Sequence, residues 1–171
     1  MKITGRNIKR RLYGVKSLTN RLSRAKYFRG HGVHSPFVYA IVRRVFMQSR
    51  FITDDRSVYD ALCNRGVPES RAMQLQNLYS HCCYERFDLN AVAEGDDFVV
   101  LTREIPNKSL KGYAAEAERI RATLVVMAPY DGRERETVCG EIIAAHHGTT
   151  VDNRGYLLIF NNYLPKQHFR L

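Results

Sequence analysis

Two short apolar runs, Phe98-Val99-Val100-Leu101-Thr102 and Thr123-Leu124-Val125-Val126-Met127-Ala128, limit this chain more than any other feature. Runs of this length without polar alternation suit strands buried on both faces, as in a parallel sheet between helical layers. Residues 109 to 121 between them place Leu110, Tyr113, Ala117 and Ile120 at helical spacing, which predicts a helix. After the second run, Asp131 and Glu134 form a capping-box pattern ahead of a helix to about Ala145, with Gly148 as its stop. The segments Thr149–Asp152 and Tyr156–Asn161 are separated only by Asn153-Arg154-Gly155, which predicts an antiparallel hairpin. Right-handed crossovers make the first strands parallel, and the hairpin adds an antiparallel edge.

Helical patterns dominate upstream. Ser35 suits an N-cap and Pro36 the first helical position, followed by Phe37, Val38, Ile41, Val42, Val45 and Phe46 on one stripe. A shorter helix is expected from about Asp55 to Cys63, closed by Gly66. Another is expected from about Glu69 to Cys83, burying Ala72, Leu75, Leu78, Tyr79 and Cys82. Tyr84–Leu89 reads as a weak strand. Between Lys2 and Arg29, the spacing of Ile8, Leu12, Val15, Leu18 and Leu22 fits an amphipathic helix with a basic outer face.

Charge divides the chain unevenly. Residues 1–50 hold thirteen Lys/Arg and no acid, whereas residues 51–171 hold fourteen Lys/Arg against seventeen Asp/Glu. The expected organisation is therefore a basic helical arm with a capped helix (1–50) joined to a single α/β body (51–171), one domain overall at this length. Only the arm is a candidate for nucleic acid or another polyanion, with an anionic bilayer as the other basic-helix partner. No apolar run approaches the roughly 18 residues of a membrane span. No secretory signal is apparent, and the four cysteines form neither a disulfide framework nor a Cys-x-x-Cys pair. A cytoplasmic protein with reduced thiols is expected.

Two stretches carry a family likeness. Gly30-His31-Gly32-Val33-His34-Ser35-Pro36-Phe37 resembles the N-terminal signature of a bacterial family of SAM-dependent methyltransferase-like proteins. Gly155-Tyr156-Leu157-Leu158-Ile159-Phe160-Asn161, with Leu164 to Phe169 and its Lys166-Gln167-His168-Phe169 ending, is similar to that family's closing strand and terminus. The likeness covers both ends, about half the chain. It implies a small Rossmann-like, class I methyltransferase-like partial sheet, mainly parallel with a C-terminal antiparallel hairpin and preceded by N-terminal helices. It also makes S-adenosylmethionine a possible cofactor.

The middle departs from that pattern. The family's cofactor lies against an acidic-x-Gly-x-Gly turn that opens a helix after a strand. None of the eleven glycines here occupies such a setting. No cofactor is therefore expected, and enzyme status is open. Three functional readings follow: a truncated methyltransferase-like protein without catalysis of its own, a polyanion-binding module acting through residues 1–50, and an active methyltransferase with an atypical pocket.

Candidate site residues fall in two groups. Ligands of α/β sheets bind beyond the carboxyl ends of the parallel strands, which selects Glu104, Tyr130 and Asp131. The alternative is that Asp131 caps a helix and Glu104 is solvated. Around Gly30-x-Gly32-x-x-Ser35, Arg29, His31, His34 and Ser35 are candidates for an anion site. No strand precedes that motif, so a capped turn seating the arm is the competing explanation. His31 and His34 are also spaced as His-x-x-His, but lack nearby carboxylate or thiolate partners, so no metal site is expected. His146 and His147 suit the negative end of a helix. An uncovered sheet edge would favour a homo-oligomer.

Overall fold

A computed structural model describes residues 34–171. The expected 2–29 helix, Arg29 and His31 lie outside the described residues. The protein is α/β, with a Rossmann-like, mostly parallel sheet that ends in an antiparallel hairpin and is preceded by helices. Among the described residues three helices come first: α1 (Pro36–Ile41), which runs on as a π-turn over Val42–Phe46, α2 (Ser57–Cys63) and α3 (Glu69–His81). Then come β1 (Phe87–Leu89), β2 (Phe98–Leu101), a 3₁₀ turn (Asn107–Ser109), α4 (Leu110–Arg119), β3 (Thr123–Met127) and α5 (Arg133–Ala145). The chain closes with β4 (Thr149–Asp152), β5 (Tyr156–Phe160) and β6 (Gln167–Arg170).

The sheet order is β1-β2-β3-β5-β4-β6. β1, β2 and β3 run parallel, β5 is antiparallel to both β3 and β4, and β6 lies parallel to β4 on the outer edge. Every residue of β2, β3 and β5 is buried. Alternation sends successive side chains to opposite faces. Phe98, Val100, Val125, Tyr156 and Leu158 meet α1, α2 and α3, while Val99, Leu101, Leu124, Val126 and Leu157 meet α4 and α5. That double burial is why the runs carry no polar alternation.

Local chemistry explains the boundaries. The Ser35 hydroxyl accepts from the Val38 N–H at 3.4 Å, so Ser35 is the α1 N-cap with Pro36 behind it. Gly66, at φ +71°, closes the turn after α2. In the hairpin, the left-handed residue is Arg154 (φ +54°) rather than the glycine. Gly155 is needed for space instead: a Cβ there would sit 2.6 Å from the Arg71 Nε.

Two expectations about α5 are corrected. Asp131 does not cap α5; Gly132 holds the N-cap position, and the Asp131 carboxylate accepts from Arg103 instead. Neither Gly148 nor a capping imidazole ends that helix: His146 turns to extended backbone, and its ring reaches the Phe160 carbonyl at 3.2 Å. The polar ending is a strand, β6, whose residues are largely exposed.

Two buried amides in α3 hold the segment before α2 and the first turn of α2. Asn77 accepts from the Ile52 N–H and donates to the Arg50 carbonyl, while Gln76 accepts from the Tyr59 N–H and donates to Asp55. Among the described residues, no helix is long and apolar enough to cross a membrane.

The histidines set a pH dependence. Burial holds the His146 imidazole below its ordinary value, partly offset by the Phe160 carbonyl and Glu118, with His147 and Lys166 adding to the depression. A carbonyl only accepts, so Nε2 carries the proton of the neutral ring. Burial, then Arg44, lowers His81 as well. Both rings are favoured neutral in the folded state, so their contribution is present above the ordinary imidazole value and lost as pH falls through the depressed ones. Urea unfolding between pH 7.5 and 5.5 should show stability falling with pH. His146→Asn should reduce that slope, and an unchanged slope would contradict the assignment.

Candidate functional site

The parallel strands β1, β2 and β3 deliver their carboxyl ends to one side of the sheet, and a cleft of about 440 Å³ opens there. Its walls come from the α2–α3 turn, the segments after β2 and β3, and the hairpin turn.

A buried arginine fixes the segments after β2 and β3. Arg135, in the first turn of α5, is 2 % exposed. Its guanidinium donates to the Met127 carbonyl (3.1 Å and 3.3 Å), the Ile105 carbonyl (3.0 Å), the Thr102 carbonyl (3.3 Å) and the Asn107 Oδ1 (3.2 Å). Strand-end carbonyls without ladder partners thus find a donor fork whose five N–H groups suit this role. Burial lowers the Arg135 pKa from its ordinary value, with nearby Arg103 adding to the depression and Cys139 and Asp131 opposing it. At the end of β3, Ala128 is held at φ +48°, its N–H donating to the Gly155 carbonyl at 2.8 Å. Left-handed alanine is strained by roughly 1 kcal/mol, and such strain concentrates at functional sites.

The end of β1 is closed by side chains. Asn90, at φ +62°, donates to Thr102 Oγ1 (2.8 Å) and Glu104 Oε2 (2.9 Å) and accepts from the Thr102 N–H (2.7 Å). Residues 90 to 97, eight in all, then return the chain to the start of β2 without a helix. A parallel pair ordinarily needs about a dozen residues or more, usually with a helix. Here the return is held by turns: Asp96 accepts from the Ala93 N–H, and Asp97 accepts from the Glu85 and Arg86 N–H groups.

Four arginines line the cleft: Arg65, Arg71, Arg103 and Arg154. Two carboxylates, Glu104 and Asp131, line it as well. Arg65 pairs with Glu104 at 2.7 Å and Arg103 with Asp131 at 2.7 Å, both well exposed. Arg71 is held differently. Its Nη1 donates to Gln74 Oε1 at 2.9 Å, and its guanidinium lies over the Tyr156 ring at 5.7 Å. Gln74 also accepts from the Tyr156 hydroxyl (3.2 Å) and donates to the Phe46 carbonyl (3.2 Å).

The three residues expected at the strand ends, Glu104, Tyr130 and Asp131, are brought together in this cleft. The Tyr130 hydroxyl donates to buried Asp152. The second group is not assembled among the described residues: His34 is exposed and Ser35 is occupied in capping. The sequence does not point to the arginines of the α2–α3 turn and the hairpin as site residues. Nothing in their sequence neighbourhood marks them, because contacts from three distant segments create the cleft. Arg103 was adjacent to the residue singled out.

Burial pushes the Cys82 and Cys139 thiols up to about 11, where the reactive thiolate is scarce at neutral pH. Among the described residues, no group of three or more His, Cys, Asp or Glu is placed to hold a metal ion. Neither a family model, nor a curated protein, nor a solved structure matches the chain.

Replacing Arg135 with methionine removes donors from four acceptors at the strand ends while preserving bulk. Urea denaturation should show a loss of about 3 kcal/mol. A change under about 0.5 kcal/mol, the size of an ordinary surface substitution, would contradict this bracing role.

Proposed function

We propose that this chain is a relative of the SAM-dependent methyltransferases that has lost the cofactor-binding part of its sheet and does not transfer methyl groups on its own. The carrying observation is the short return from β1 to β2. In the fold its ends resemble, a strand runs through a glycine turn into a helix, whose N-terminal N–H groups face the cofactor. In this chain the corresponding strand end meets Asn90, whose amide is engaged with Thr102 and Glu104, and no helix follows before β2.

The cleft charge supports the same reading. S-adenosylmethionine carries a sulfonium cation, and a wall with four guanidiniums against two carboxylates disfavours it. The residues present do not fit that cofactor, and no methyl-transfer step is derived for them. Isothermal titration of the purified chain with S-adenosylmethionine should give no saturable heat at micromolar concentrations. Clear micromolar binding would contradict the loss and restore the reading of an active enzyme with an atypical pocket.

A second reading rests on the uneven charge. Arg43, Arg44 and Arg50 are the basic residues of 34–50, and all three are exposed, beside an N-terminal segment that itself lacks acids. Polyanion binding through residues 1–50 would fall steeply with salt, because each neutralised phosphate releases counterions. On a heparin column, the triple variant Arg43→Gln, Arg44→Gln, Arg50→Gln should elute at lower salt than the parent. Equal elution would count against this surface.

A further inference from the structure

We infer that the arginine-lined cleft binds the phosphate group of a small phosphorylated molecule, with Arg71 as its principal anchor. This goes beyond the loss of cofactor binding and does not rest on it.

Three properties of the cleft lead there. The first is position: it lies beyond the carboxyl ends of the parallel strands, where α/β folds place their ligands. Its volume of about 440 Å³ lies within the range of small-molecule sites.

The second is the setting of Arg71. Its guanidinium is held by a neutral amide and an aromatic face, and no ion pair to it occurs among the described residues. The fork is half-buried and aligned before any ligand arrives, which reduces the ordering cost of binding. An always-charged planar fork presents parallel N–H groups that match two oxygens of an oxyanion. Gly155 permits this placement, since a Cβ there would meet the Arg71 Nε at 2.6 Å.

The third property is charge. Arg71, joined by Arg65 or Arg103, offers the two positive charges that match a phosphate monoester, which carries about −1.5 to −2 at neutral pH, better than a single carboxylate. Arg65 and Arg103 already meet carboxylates on the rim, but in exposed pairs with side chains 42 to 67 % accessible. Such pairs contribute little, so either arginine turns readily to a more highly charged anion.

The test uses the full chain, titrated with inorganic phosphate by calorimetry at constant ionic strength, with acetate as the carboxylate comparison. Phosphate should bind saturably at one site and more tightly than acetate. Arg71→Gln should weaken phosphate by about tenfold or more, the scale of one charge-assisted contact. Arg65→Gln should weaken it less, and Arg121→Gln, before β3 at the opposite end of the sheet, should leave it unchanged. Arg71→Lys, which keeps charge but loses the fork, should fall between the parent and Arg71→Gln. Circular dichroism checks folding, and Arg71→Lys with Arg65→Gln carry the comparison if Arg71→Gln does not fold. Absence of saturable phosphate binding overturns the proposal. So does acetate binding as tightly as phosphate, or unchanged affinity in the folded Arg71 variants, which would place the anion on the basic N-terminal arm.

Discussion

The carboxyl end of this sheet depends on one buried guanidinium. Strands β2 and β3 end in carbonyls that point away from the ladder, and buried carbonyls need donors. Arg135 supplies them from α5, joining Thr102, Ile105, Asn107 and Met127 in one set of contacts. Two of those residues, Thr102 and Met127, also line the cleft. The same contacts that satisfy the strand ends therefore hold one wall of the candidate site. The hairpin turn fastens to that wall through the Ala128 N–H and the Gly155 carbonyl.

Around this brace the rest is layered hydrophobic packing. The two clusters on either face of β2, β3 and β5 explain why a sheet with so short a first strand is still well buried. Phe98, Tyr79 and Tyr84 close the β1 side, with Tyr84 stacked on Phe98 at 5.2 Å and its hydroxyl on Thr123 at 2.6 Å.

Much of the architecture was legible because its determinants are local. Apolar runs marked β2 and β3, Ser35-Pro36 marked the start of α1, and the three-residue link marked the hairpin. The elements that were missed obey tertiary causes. Arg135 lies in Arg133-Glu134-Arg135-Glu136, a sequence that looks like a solvated helical face, and only the strand ends beneath it explain its burial. Gln167–Arg170 is too polar to read as a strand, because an edge strand with exposed side chains gains from backbone pairing with β4 rather than from burial. Asp131 matched a cap, but Arg103 offered a charged partner that the helix N–H groups did not outcompete. For the site, sequence supplied the place, and Glu104, Tyr130 and Asp131 stand there. The dominant charge was hidden, since Arg65, Arg71 and Arg154 come from other segments.

The central claim is that the strand ends have exchanged a cofactor turn for an arginine-lined anion site. The most direct measurement is amide and arginine Nε NMR of the labelled chain, with phosphate and S-adenosylmethionine added in turn. Phosphate should move the Arg71 and Gly155 signals, while S-adenosylmethionine leaves Asn90 and its neighbours in place. Movement at Asn90 with S-adenosylmethionine, and stillness at Arg71 with phosphate, would contradict it.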